Sequence, residues 1–449
     1  MKRLKKALSL LLVAAIAVTA LVCGSVSASA ASSKTALLTT ALSKIDSKAK
    51  EIIDLGQGIY WLYDNDTGYN AFYRIGSDEI KAWRSSGKLK ATKLTADDKL
   101  KKCTGYYTDC TFAFGDYALF YKDDNDIRTE YVIKYDKSKK TLTTIYSSKN
   151  YIGVSSDGSI SEFIWNDSTG KLQLKILNNK AKLVKQLNYD FSAEDCIAHW
   201  NVFRYGSDTA CISYCSESEY IRSATEDIKS GHIITIDKNG KTKTVAEFAN
   251  TAFMTGGNYI VADRPPLAGL SYVYLTSKNK GYSTLDLRGL EDEIFKKDGV
   301  VYAYTISSFG KKIYGTKAVA EYVAGPEDDL QYKYALVNIS SNKLISAVYD
   351  GMYTDNDGET YSVMNSKGQR GFLNSKGKKL AMFDDADSFY GKGKYAPVIK
   401  DGKIYLINMK MNQVSKTIKA DKDSEVWTFG DELFAYRYGG KVYLMTNKK

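Results

Sequence analysis

The chain has 449 residues, with 63 Lys and Arg against 52 Asp and Glu for a formal net charge of +11, and only 2 histidines, 6 cysteines and 4 prolines beside 35 tyrosines. So few histidines and cysteines exclude a scaffold built on zinc or on disulfides at this length. Lysines scattered through turns, without a basic stripe, argue against a nucleic-acid partner.

Residues 1–30 read as a targeting segment. Lys2, Arg3, Lys5 and Lys6 form the charged start, Ala7 to Val22 the apolar run, and Ala28-Ser29-Ala30 a small-residue cleavage site. Cys23 raises a lipoprotein alternative, against which bulky Leu21 and Val22 stand. Cleavage removes four positive charges and lowers +11 to +7, a setting suited to a wall rich in anionic polymers or simply to solubility. No later apolar stretch is long enough to span a bilayer, so an exported protein without a membrane span is expected.

Residues 31–57 differ from the rest. Leu37, Leu38, Ala41, Leu42, Ile45, Ala49, Ile52 and Ile53 recur at helical spacing, which predicts a short capping helix. The alternative is that Glu51 to Asp54 pairs as a strand with an incomplete last unit.

From residue 58 to the end a four-beat strand pattern recurs. It is clearest where Ala198 to Tyr205, Ala210 to Cys215, His232 to Ile236 and Thr242 to Phe248 alternate with turns such as Gly206-Ser207-Asp208 and Asp237-Lys238-Asn239-Gly240. Asp-Gly and Gly-Gly pairs mark two-residue hairpins, which need positive φ. Four short strands with tight turns, repeated about every 35 to 60 residues, are the pattern of a β-propeller blade. The fold expected over 58–449 is one all-β propeller of about eight four-stranded blades, seven to nine being open. Units begin near residues 58, 107, 150, 196, 251, 293, 351, 387 and 424. Two packed sandwiches are the alternative. The last unit, Glu425 to Asn447, shows three strands, and a strand from the other terminus would close the ring.

Gly368-Gln369-Arg370-Gly371-Phe372-Leu373-Asn374-Ser375-Lys376-Gly377-Lys378 resembles the WG repeat of bacterial secreted proteins, with Asp401-Gly402-Lys403-Ile404-Tyr405-Leu406-Ile407-Asn408 as a looser echo. Arg370 and Ile404 stand where that repeat has its tryptophan. The resemblance spans roughly 358–413; it implies repeated β-hairpins and carries over no site residue.

Chemistry is sparsely signalled. His199 and His232, both at strand starts of one unit, lack a third ligand, so no metal and no cofactor is expected. No Gly-x-Ser-x-Gly elbow occurs. The acids Asp64, Asp66, Asp123, Asp124, Asp126, Asp355, Asp357 and Glu359 fall in polar turns, which hairpin chemistry explains. Asp357-Gly358-Glu359-Thr360-Tyr361 is one residue out of step with an Asp-box, and Tyr353 breaks the EF-hand spacing. Trp61, Trp83, Trp165, Trp200 and Trp427 are expected within strands as core. Cys196 and Cys215 end antiparallel partners and are the best candidate disulfide among five mature cysteines.

Long connections between second and third strands are expected at Asp123 to Thr129, Ser216 to Gly231, Asp263 to Gly269 and Phe309 to Gln331. All would project from one face, and insertions on one face of a repeat fold mark its binding face. Tyr220, Arg222, Arg264, Tyr314, Tyr322 and Tyr332 are therefore the candidate ligand contacts. The expected function is a monomeric, secreted, non-catalytic module for an extracellular glycan, cell-wall polymer or protein. The alternatives are a carbohydrate-active hydrolase or lyase with carboxylates meeting in the funnel, and a structural component of the envelope.

Overall fold

In a computed structural model the described residues are 34–448 apart from 126, 193–195, 205, 217, 219–231, 247–252, 256–258, 264–270, 276–279, 285–300, 307–316, 325–330, 339–340, 342, 356–357 and 390–392. The signal-segment reading of residues 1–30 thus lies outside them. Among the described residues nine antiparallel sheets follow one another along the chain. In order these blades span 51–93, 105–148, 151–190, 196–246, 253–284, 301–344, 351–383, 385–419 and 426–447. Blade 2 adds a fifth, parallel strand, Thr95–Ala96, beside Thr141–Ser148. Nine is the upper end of the expected range, and all nine segmented units stand.

First strands of neighbouring blades touch, as Cys196–Asn201 does Phe253–Thr255 and Asp385–Ala386 does Val426–Phe429, so the first strand of each blade lines the axis. The apolar cores lie between blades, not within them. Phe72, Trp61 and Leu62 of blade 1 alternate along two strands: Trp61 and Phe72 face Phe120 of blade 2, and Leu62 faces Leu433 and Leu444 of blade 9. Period-two alternation of apolar residues on both faces is what a blade clamped between two neighbours requires. That packing replaces the sandwich alternative, because each sheet has two partners around a ring.

The ring closes through Leu37–Ala41, which pairs antiparallel with Lys441–Asn447 from Leu37↔Asn447 to Ala41↔Tyr443. The closing strand was expected at Glu51–Asp54, which is instead the first strand of blade 1, paired with Ile59–Asp64. The helical spacing over 31–57 forms only a single 3-10 turn, Leu42–Lys44. Its apolar residues instead serve two extended segments, whose Leu37, Leu38, Ile52 and Ile53 are partly buried against the neighbouring cores.

One helix was not foreseen. Ser77–Ser86 joins the third and fourth strands of blade 1. Glu79 accepts the Gly76 amide at 2.9 Å and pairs with Arg74 at 3.0 Å, and Gly87 ends the helix at φ 73°. Ile80 and Trp83, three apart, go into the core, so Trp83 sits on a helix and not on a strand. Asp401 and Gly402, at φ 51° and 67°, make the two-residue hairpin that their order predicts.

Candidate functional site

Blades 7 and 8 enclose a cavity of about 510 Å³ near the axis. The first strand of blade 7, Gly351–Asp355, contributes Gly351, Tyr353 and Asp355 to the face that looks at blade 8. Register puts Ser362 opposite Tyr353, Thr360 opposite Asp355 and Met364 opposite Gly351, with Arg370 next across. Facing residues of antiparallel strands share one side of a sheet, so these side chains form one wall. Ala386, Asp387 and Ser388 form the other, and Tyr334 and Asp350 close the blade 6 side. A Cβ at Gly351 would come within 3.4 Å of the Met364 Cβ, so the missing side chain is part of what keeps the cavity open.

The acids are unevenly solvated. Asp355 is only 3% exposed, and burial drives its carboxyl well above the ordinary carboxylate range. The Asp387 charge pushes the same way, while hydrogen bonds from the Ser362 hydroxyl and the Phe389 amide pull partly back. Asp387 and Asp385 are likewise raised by burial, with Arg370 opposing. The buried Thr360 hydroxyl, on the Asp355 wall, has no hydrogen-bond partner.

Each acid already holds backbone of the following blade. Asp355 takes the Phe389 amide, Asp387 the Thr428 amide at 2.6 Å and the Ser388 amide at 2.8 Å, and Asp385 the Val426 amide at 3.2 Å. The same device joins other neighbours: Glu130 accepts the Ile152 amide at 3.0 Å, and Ser161 accepts the Phe203 amide at 2.9 Å. Such latches satisfy inner-strand amides that lack a ladder partner. The cavity therefore offers fixed acceptors, hydroxyls, one guanidinium and the half-exposed Tyr353 ring, an arrangement for hydrogen-bonding a ligand.

The sequence-derived contacts are distributed otherwise. Tyr220, Arg222, Arg264 and Tyr314 lie outside the described residues. Tyr322 lies on strand Lys317–Ala324 and Tyr332, 48% exposed, on Gln331–Asn338. Phe309 to Gln331 is thus no single insertion, since the whole blade 6 strand Lys317–Ala324 runs within it. Asp123 to Thr129 is a hairpin between Tyr117–Asp124 and Ile127–Asp136. β-strand extension past the expected ends absorbed both. Tyr332 precedes the cavity-lining Tyr334 by two residues and shares its face of the strand.

Other expectations shift as well. The register sets Cys196 opposite Ser216 and Cys215 opposite Ile197, one residue out of the alignment a bridge between facing positions needs. His199 and His232 lie on the first and third strands of blade 4, with Thr209–Ser216 between them. Of the acids set aside as turn residues, Asp355 proves to be a buried strand-end residue, while Asp126 and Asp357 lie outside the described residues. Arg370, Ser362 and Asp387 were not anticipated. The signal for Arg370 was present: a charge at the position the WG repeat fills with tryptophan.

No family model matches the sequence, and no curated protein sequence matches it. Among solved structures the chain is similar to BamB from Moraxella catarrhalis, at 11% identity over 73% of this chain and 93% of that one with a TM-score of 0.34. It is similar to the β-propeller domain of the trilobed protease from Pyrococcus furiosus, at 12% identity over 72% and 92% with a TM-score of 0.37. It is also similar to oligogalacturonate lyase from Vibrio parahaemolyticus, at 10% identity over 89% and 98% with a TM-score of 0.37. The β-propeller fold of this chain stands on its own succession of sheets and on the strand that closes them.

Proposed function

We propose that this chain is an exported, non-catalytic binding module whose ligand is a hydroxyl-rich glycan seated between blades 7 and 8. The observation that carries the reading is the cavity wall of Asp355, Ser362, Arg370, Asp387 and Ser388 beside an exposed tyrosine ring. Carboxylates and hydroxyls accept and share the protons of vicinal sugar hydroxyls, and a tyrosine face covers the apolar side of a pyranose. Because the acids are engaged with backbone amides, they act as fixed acceptors and not as a proton-transfer pair. Export is supported by the charged, apolar and small-residue order of residues 1–30.

The test is a glycan array with the mature chain, followed by titration of any hit against Arg370→Ala and Gly351→Val. Valine suits a strand and places methyl groups in the cavity. Binding weakened at least ten-fold in both, with unchanged thermal melting, supports the reading. A silent array, or a hit that both variants retain, overturns it.

A second reading, a carbohydrate-active enzyme, is favoured by the raised carboxyls of Asp355 and Asp387 in one cavity. Release of reducing ends or unsaturated products from the bound glycan would select it.

A further inference from the structure

The outer part of blade 8 carries a cluster of lysines that the cavity between blades 7 and 8 does not use. Strands Tyr395–Lys400, Lys403–Asn408 and Ile418–Lys419 set Lys400, Lys403 and Lys419 in one cross-strand row, Lys400↔Lys403 and Lys403↔Lys419. Facing residues lie on one side of the sheet, and like charges directly opposite one another destabilise it. Two more lysines join the row from elsewhere. Thr35 runs parallel to Ser415, its amide on the Val414 carbonyl at 3.1 Å and its carbonyl taking the Lys416 amide at 2.8 Å. This brings Lys34 beside Lys416, and the Lys34 Nζ donates to Gln413 Oε1 at 2.8 Å.

Lys34, Lys400, Lys403 and Lys416 line an open concavity of about 610 Å³ with Tyr405, Gln413, Thr417 and a single acid, Asp401. All five lysines are exposed, and none of them makes an ion pair among the described residues. The acid that lines the concavity is Asp401, and Asp384 accepts the Asp401 amide at 2.8 Å. Several lysines elsewhere do have acid partners: Lys50 with Asp64 and Asp66, Lys122 with Asp124, and Lys238 with Asp157 and Asp208. The blade 8 row is assembled by register and by a contact between residues 379 apart in sequence, and four lysines line the concavity against one lining acid.

We propose that this concavity on blade 8 is a docking surface for a linear polyol-phosphate polymer. Charge complementarity selects a polyanion. The row crosses three strands, about 10 Å, so one flexible chain can present successive phosphodiesters to Lys400, Lys403 and Lys419 while Lys34 and Lys416 hold the next. Polyol hydroxyls find Gln413, Thr417 and the Tyr405 hydroxyl. Nucleic acid is the less suited polyanion, because single strands bind through several stacking rings and Tyr405 is the one ring among the described residues that line the concavity.

The experiment immobilises synthetic poly(glycerol phosphate) and measures binding of the mature chain from 50 to 300 mM salt. Binding should weaken steeply with salt. The triple variant Lys400→Gln, Lys403→Gln, Lys416→Gln should lose at least ten-fold in affinity and show a shallower salt dependence. A control with equal charge loss on blade 3, Lys180→Gln, Lys182→Gln, Lys185→Gln, should bind like the parent. Gly351→Val should also retain polymer binding, which separates this surface from the glycan cavity. Since the neutralised row no longer repels itself, the blade 8 variant should melt no lower than the parent, so lost binding is not lost folding. Equal binding by the blade 8 variant, equal loss in the blade 3 control, or tighter binding to oligothymidylate of matched charge would each overturn the assignment.

Discussion

Asp387 accepts the backbone amide of Thr428 at 2.6 Å, so the inner edges of blades 8 and 9 are joined by a side chain where no strand pairing exists. The other oxygen takes the Ser388 amide, and the Thr428 hydroxyl returns a bond to the Ser388 carbonyl at 2.8 Å. Asp387→Ala leaves two amides to find new partners and should lower stability by about 1–3 kcal/mol. Asp387→Asn, which keeps an acceptor oxygen, should lose less. Urea unfolding followed by tryptophan fluorescence checks the order of the three proteins; equal midpoints would show that the latch contributes nothing.

Asp54, at the end of the first strand of blade 1, has its carboxyl pushed up to about 6 by burial, with the Gly56 amide offsetting part of it. A carboxyl raised in the folded state favours folding only while protonated, and stability is lost as pH rises from about 4 through about 6. Asp54→Asn keeps the acceptor for Gly56 and removes the charge. It should therefore be more stable than the parent at pH 7.5, by on the order of 2 kcal/mol, and indistinguishable from it at pH 3.5. Thermal melts across that range decide it, and a pH-independent difference would rule out the ionisation as the cause.

Arg204 lies between the rings of Tyr107 and Tyr151, 4.9 and 4.8 Å from their centroids, and pairs with the buried Asp109 at 2.9 Å. It ties blades 2, 3 and 4 together near the axis. Arg204→Ala strands a buried carboxylate and should cost about 3–5 kcal/mol. Lysine cannot stack flat between two rings, so Arg204→Lys should recover only part of that. Denaturant midpoints of the two variants give the test.

The closing strand protects an edge. A chain beginning at Lys48 lacks Leu37–Ala41 and bares Lys441–Asn447, whose alternating Val442, Leu444 and Thr446 would template pairing with another molecule. Size-exclusion chromatography should show self-association, and the melting temperature should fall. A monomer with unaltered melting would mean that the ninth blade holds with three strands.

Much of the architecture could be read from local chemistry. Asp401-Gly402 and Gly439-Gly440 announce their hairpins because positive φ is demanded there, and strand alternation between them is strong. Positions that depend on distant partners were less readable. Leu37–Ala41 and Glu51–Asp54 each carry one adjacent apolar pair, and it is their pairings, one with residue 443 and beyond and one with the neighbouring strand, that tell the closing strand apart. Ser77–Ser86 was missed because its ten residues sit among strands, and the capping contact of Glu79 with Gly76 was the available clue. At the cavity, Asp355 looked like any turn aspartate. Its burial comes from blade 8, which no window around residue 355 contains.

The pairing of Leu37 with Asn447 spans 410 residues, and it sets the order of events during synthesis. Leu37–Ala41 leaves the ribosome about 400 residues ahead of its partner strand and must wait, unpaired, until the blades between them have followed. Bringing ends so far apart together costs about 5 kcal/mol of chain entropy if the intervening chain is unstructured, but far less once eight blades have stacked and carried the two ends to one place. The ring is therefore expected to form by accretion, blade upon blade, with the last hydrogen bonds to be made joining Leu37–Ala41 to Lys441–Asn447 across all the blades between them.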